Sequence, residues 1–104
     1  MGVKKHTGSP IAKRLKEARL RTGLSQKSLG IKAGIDQFAA SARMNQYETG
    51  KHVPDFGTVK RIAKVLNVPA AFFYCDDNEL AALVLAWSQL SRTKRKLLLK
   101  SFTS

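Results

Sequence analysis

The decapeptide Ser25 to Gly34, SQKSLGIKAG, permits one helix of about two turns and no more. Ser25 is a natural N-cap, because its hydroxyl can accept a hydrogen bond from a free amide of the first turn. Ala33-Gly34 closes the element, where glycine suits a left-handed backbone. So short a helix is unstable alone and must be braced by its neighbours. Gly30 marks where the bracing occurs, since a side chain there would push the next helix away. The chain is thereby committed to a steep pair of short helices, the second lying somewhere inside Asp36 to Tyr47.

The rest of the chain reads as further short helices with clear punctuation, and no alternation of apolar and polar residues is sustained long enough for a strand. Ser9-Pro10 supplies an N-cap and an N1 proline for a first helix that ends at Gly23. Its apolar positions are Ile11, Leu15, Ala18 and Thr22, with Lys13, Arg14, Lys16, Glu17 and Arg21 mostly on the other faces. Thr49-Gly50 stops the third helix. Asp55 caps a fourth whose expected buried stripe is Phe56, Val59, Ile62, Ala63 and Leu66. Val68-Pro69 starts a short fifth helix through Phe72 and Phe73. Asp76-Asp77-Asn78-Glu79 places acids on the positive end of a sixth, which carries Leu80, Leu83, Val84, Trp87 and Leu90 on one side. Ser91 caps a last helix with Leu97, Leu98 and Phe102.

A chain of 104 residues can form one core without disulfide or metal staples. Lys and Arg outnumber Asp and Glu by 19 to 7, and the net charge of +12 suits a polyanionic partner. The excess lies forward: fourteen Lys/Arg against four acids in residues 1–75, and five against three in 76–104. Cys75 is alone, so no disulfide framework exists, and a small buried hydrophobe is its expected role. The longest apolar run, the eight residues Leu80 to Trp87, is too short to cross a bilayer. The first ten residues lack the apolar core of a signal peptide. These features lead to the expectation of a cytoplasmic protein without a membrane partner. His6 and His52 lack ligand spacing for a metal, and no nucleophile–base set or phosphate loop is visible. Neither an enzyme nor a cofactor is expected.

A helix fits the major groove of B-form DNA, so a basic protein can read base edges if one short helix protrudes while its neighbour braces it. At this point the residues resemble a known family. Ser25-Gln26-Lys27-Ser28-Leu29-Gly30-Ile31-Lys32-Ala33-Gly34-Ile35 is similar to the SQ-x-x-LA-x-x-AG-[VI] signature of Cro/repressor-type (XRE-like) helix-turn-helix regulators. Asn45-Gln46-Tyr47-Glu48-Thr49-Gly50-Lys51, followed by Pro54, resembles their S-x-x-E-x-G-x-x-x-P segment. Leu15-x-x-Ala18-Arg19 and Ile62 to Val68 resemble the first and fourth helices. The resemblance implies an all-α fold: a five-helix repressor-type domain with two additional C-terminal helices. The expected organisation is a flexible basic arm over 1–8, a DNA-binding domain over 9–75 and a helical extension over 76–104.

Two departures stand out. Gly30 replaces the family's usual Ala, and Gly34 to Gly50 is about four residues longer than the usual spacing. The surplus falls at Asp36-Gln37-Phe38-Ala39-Ala40-Ser41. Either the turn lengthens or the third helix gains about one turn; the longer loop, with a break near Ala40 and Phe38 packed back on the domain, is the expectation. Counting back from Glu48, Met44 and Tyr47 face the core. Ser41, Ala42, Arg43 and Gln46 are then the candidate base contacts, since Gln pairs with adenine, Arg with guanine and Ala with a thymine methyl. Gln26, Lys27, Asn45, Lys51 and His52 are candidate backbone or flanking contacts, and Gln26 is alternatively a brace for the recognition helix. Lys27 and His52 read equally as ordinary surface residues. The resemblance further implies a structural ion pair between Arg19 and Glu48.

The sixth helix carries more apolar surface than one small core can use. Helix-turn-helix domains commonly bind two-fold related half-sites as dimers. A homodimer through the two C-terminal helices, with Trp87 and Leu97 to Leu99 as anchors, is expected; their folding back on their own domain is the alternative. The function expected of the whole is sequence-specific binding of double-stranded DNA as a transcriptional regulator, with repression as the favoured sense. An antitoxin holding a toxin partner, and a protein-interaction adaptor without an operator, are the other readings.

Overall fold

A computed structural model describes residues 9–103, and the expected basic arm over 1–8 lies outside them. The described residues form α1 (Ile11–Thr22), α2 (Gln26–Lys32), α3 (Ala40–Glu48), α4 (Phe56–Leu66), a 3-10 helix (Ala70–Tyr74), α5 (Asn78–Gln89) and α6 (Arg92–Thr103). The fold is all-α, with no strand among the described residues. The fifth helix of the sequence reading is the 3-10 segment, in which Phe72 and Phe73 turn inward edge to face. No helix among the described residues is long and apolar enough to cross a membrane.

One core joins the first four helices and the 3-10 segment. Leu15 and Ala18 of α1, Leu29 of α2, Met44 and Tyr47 of α3, and Val59, Ile62, Ala63 and Leu66 of α4 meet around Phe72 and Phe73. Full burial of each large apolar side chain contributes roughly 1.5–3 kcal/mol. Asp55 caps α4 by accepting from Thr58 N at 2.8 Å, and that backbone hydrogen bond holds its carboxyl below the ordinary aspartate range. The cap therefore stabilises the fold above the ordinary Asp value and is lost as pH falls through the lowered one.

Several sequence-based expectations are corrected. Pro10 sits one place ahead of the first helical residue, and Ser9 Oγ accepts from Ile11 N at 3.1 Å. Thr22 is exposed. Phe56 lies 59% exposed instead of in the core stripe. It is the first residue of α4, where side chains tilt toward the N-terminus and past the end of the core. Its ring lies beside Tyr74 and Lys60.

Arg14 departs furthest from its expected outer face, being only 2% exposed. It lies three residues after Ile11 and four before Ala18, so the helical period puts it among the core positions. Its Nε donates to Cys75 O at 2.8 Å, and Nη2 donates to Asp76 O at 3.2 Å and Asn78 Oδ1 at 3.0 Å. Glu17 balances its charge from one turn away. The guanidinium thus satisfies the carbonyls that leave the 3-10 segment and fixes the start of α5. No buried side-chain polar atom among the described residues lacks a partner.

Beyond that junction packing thins. In α5 only Ala81 is buried, with Val84 and Leu85 half-covered. Leu80 and Leu83 face water, because the helix meets the domain along one narrow line. The Arg95 guanidinium covers Trp87 and also donates to its carbonyl oxygen at 3.0 Å. No residue of α6 is buried. The radius of gyration is 15.5 Å, against about 13 Å for a compact chain of this length, so the extension projects.

The pair of short helices is set by Gly30. A Cβ there would lie 2.8 Å from Ala40 Cβ, 3.1 Å from Ala40 O and 3.2 Å from Ala40 Cα. Gly30→Ala is expected to destabilise the fold by about 1–3 kcal/mol, read by thermal or denaturant melting. Adding Ala40→Gly recovers part of that loss, because it lifts the Cβ contact and leaves the backbone ones. A neutral Gly30→Ala change contradicts the assignment of this contact as the limit on helix approach.

Candidate nucleic-acid interface

The site is built on the two faces of α3. Ala40, Met44 and Tyr47 recur at helical spacing and are buried. Ser41, Ala42, Arg43 and Asn45 are exposed, and Gln46 is half-buried. The polar face therefore lies outward because its opposite is fixed into the core, not because it is polar.

The chain reaches α3 through two consecutive turns. Gly34, at φ 93°, takes the left-handed position after α2. Its amide donates to Ile31 O at 3.0 Å, and Ile35 N donates to Gly30 O at 2.9 Å, which ties off the free carbonyls of α2. Asp36 then opens the second turn: its side chain accepts from Phe38 N at 2.9 Å and its carbonyl from Ala39 N at 3.0 Å. The surplus residues thus lengthen the turn, and α3 begins at Ala40. Phe38 does not pack back on the domain. The Asp36 turn carries it away from the core and leaves it 90% exposed.

A clamp ties the far end of α3 to the helices behind it. The Arg19 Nε donates to Glu48 Oε2, Nη2 donates to Glu48 Oε1 at 3.0 Å, and Nη1 donates to Leu24 O at 3.0 Å. The Glu48 hydrogen bond raises the Arg19 pKa above its ordinary value, against the opposing effect of burial. Gln26 Nε2 donates to Glu48 Oε1 at 3.1 Å and to Asn45 Oδ1 at 3.2 Å. One carboxylate thereby joins α1, α2 and α3, with side-chain exposure of 12% at Arg19 and 3% at Glu48.

Arg19, Gln26, Asn45 and Glu48 are thus brought together in one network. Ser41, Ala42, Arg43 and Gln46 share the outward part of α3. His52 N donates to Gln46 O at 3.2 Å, which folds the following loop against the helix end. Lys51 and His52 are both exposed there, and Lys27 is exposed beside Gln26 at the start of α2. Gln26 acts as the brace that was one of its two sequence readings, with Asn45 and Glu48 as the partners the sequence did not name. The free position of Phe38 at the entrance to α3, in contrast, escaped the sequence. For Phe38 the only available signal was its place inside the surplus residues.

Residues 10–71 match the family model for a helix-turn-helix domain. Among solved structures, the crystal structure of the transcriptional regulator BswR aligns with a TM-score of 0.81 and 48% sequence identity, covering 88% of this chain and 90% of that one. Comparison with curated proteins gives no match.

Removal of Glu48 leaves a charged, nearly enclosed Arg19 without its carboxylate, and Gln26 with Asn45 as its remaining partner. Glu48→Ala is expected to cost about 3 kcal/mol in chemical denaturation. Glu48→Gln, which keeps one acceptor oxygen, costs less. Equal losses from the two variants contradict a clamp made by hydrogen bonding and charge.

Proposed function

The chain belongs to the helix-turn-helix domain family, and we propose that it is a sequence-specific, double-stranded-DNA-binding transcriptional regulator, acting as a repressor, that reads the major groove with α3. One observation carries this reading: α3 is fixed on one face by Ala40, Met44 and Tyr47 and displays polar side chains on the other. A helix braced in this way lies rigidly enough for its side chains to select bases. Likeness to a transcriptional regulator along nine-tenths of that protein's length supports the same reading.

In this reading Ser41, Ala42, Arg43 and Gln46 meet base edges, and Lys27, Lys51 and His52 meet phosphates. Gln26 and Asn45 hold the flank of α3 in register. Residues 9–75 form the reading unit. Exposed Leu97, Leu99 and Phe102 on α6, with Leu80 and Leu83 on α5, favour a homodimer through residues 76–104. A second copy doubles the base contacts that one short helix can make. The protein acts in the cytoplasm, where its DNA lies.

Selection of bound duplexes from a random pool gives the operator, its symmetry and its spacing. Gln46→Ala then relaxes preference at one base position by roughly 1–3 kcal/mol, whereas Lys51→Ala weakens all sequences alike and lowers the salt slope by about one. A uniform loss from Gln46→Ala contradicts the register along α3, and a pool that yields no preferred sequence contradicts the reading as a whole. Sedimentation at micromolar concentration is expected to show a dimer. A strict monomer that binds a two-fold site tightly contradicts the role given to the C-terminal helices.

A further inference from the structure

We infer that Phe38 is a specificity-determining residue, packing its ring against a thymine methyl group in the major groove just ahead of the N-terminus of α3. The inference rests on the reading of α3 as the groove-facing helix and adds a contact that the sequence alone did not suggest.

At 90%, Phe38 is the most exposed large hydrophobic residue among those described. A single exposed apolar side chain is ordinary on a protein surface and by itself means nothing. What distinguishes this one is how and where it is held. Its own amide is bound by the Asp36 carboxylate at 2.9 Å, Ala39 N by Asp36 O at 3.0 Å, and Ile35 N by Gly30 O at 2.9 Å. On the other side the carbonyl of Ala39, the residue that precedes α3, accepts from Arg43 N of that helix's first turn at 2.8 Å. The backbone on both sides of Phe38 is therefore anchored, and the ring is presented outward from a built turn.

The turn adjoins the end of α3 that matters. In helix-turn-helix recognition the N-terminal residues of the second helix are those that meet base edges. Ser41, Ala42 and Arg43 occupy that end here and are exposed, and Phe38 precedes Ser41 by one helical turn's worth of chain. The close packing of Gly30 on Ala40 fixes the angle at which this end projects.

Chemistry then selects the contact. A phenyl ring offers no hydrogen bond to a base edge and no charge to a phosphate. The apolar group exposed on base edges in the major groove is the thymine 5-methyl. Burial of the ring against it removes apolar surface of both partners from water. Because Phe38 lies outside the core, its removal takes nothing from folding.

The test uses the full chain and the duplex selected by the wild-type protein, with each thymine replaced in turn by uracil, which deletes only the methyl group. For the wild type, one or two such replacements are expected to weaken binding about fourfold, the worth of one buried methyl-sized group. Phe38→Ala is expected to melt with the wild type, to bind the unaltered operator more weakly, and to become indifferent to uracil at those same positions. A Phe38→Ala protein that keeps every uracil sensitivity of the wild type overturns the inference and leaves the reading of α3 intact. So does a wild type with no uracil-sensitive position, or a Phe38→Ala loss that is equal on operator and random duplex. A wild type that selects no sequence removes both the inference and the reading beneath it.

Discussion

The Glu48 carboxylate is the point on which the rest of the arrangement depends. It accepts from Arg19 on α1 and from Gln26 on α2 while belonging to α3, so three helices close on one side chain. At 3% side-chain exposure it has little water to turn to, and the network is strong because the alternative for each member is poor. An apolar core alone would hold α3 against the domain with freedom to slide. The clamp fixes its rotation, and with it which residues face outward.

Two further contacts complete the frame. Gly30 lets α2 and α3 approach until Ala40 sits where a side chain would otherwise be. A Cβ at position 30 would lie 2.8 Å from Ala40 Cβ and 3.1 Å from Ala40 O, so the contact between α2 and the start of α3 leaves no room for a side chain on Gly30. At the opposite end of α1, Arg14 binds the carbonyls of Cys75 and Asp76 and keys the C-terminal helices to the domain. Beyond that key little is buried, and α6 exposes Leu97, Leu99 and Phe102 among its five Lys and Arg residues.

How much of this was legible from the sequence depends on whether a position answers to local chemistry or to tertiary context. Helix ends were readable because Ser25, Asp55 and Asp77 accept from amides two or three residues on, and Gly23 and Gly34 take left-handed backbone. The inward faces of Met44 and Tyr47 followed from helical spacing counted back from Glu48-x-Gly50, an anchor that the family resemblance supplied. Arg14 was misread because its charge was allowed to outweigh its period; an arginine on an apolar stripe signals carbonyls to be satisfied, but not which ones. Phe38 and Phe56 were misread in the opposite sense, their hydrophobicity being allowed to outweigh a turn and a helix start that point them away from the core. The outward residues of α3 were legible as a face. Their partners on DNA are properties of a complex and not of the chain.

The most direct test is a nuclear magnetic resonance titration of the isotope-labelled chain with its selected duplex. The largest amide shift changes are expected to run from Phe38 through Gln46, with smaller ones at Lys27, Lys51 and His52 and none in the core of α4. Changes confined to α5 and α6, with Ser41 to Gln46 undisturbed at saturation, contradict the reading of α3 as the groove-facing helix.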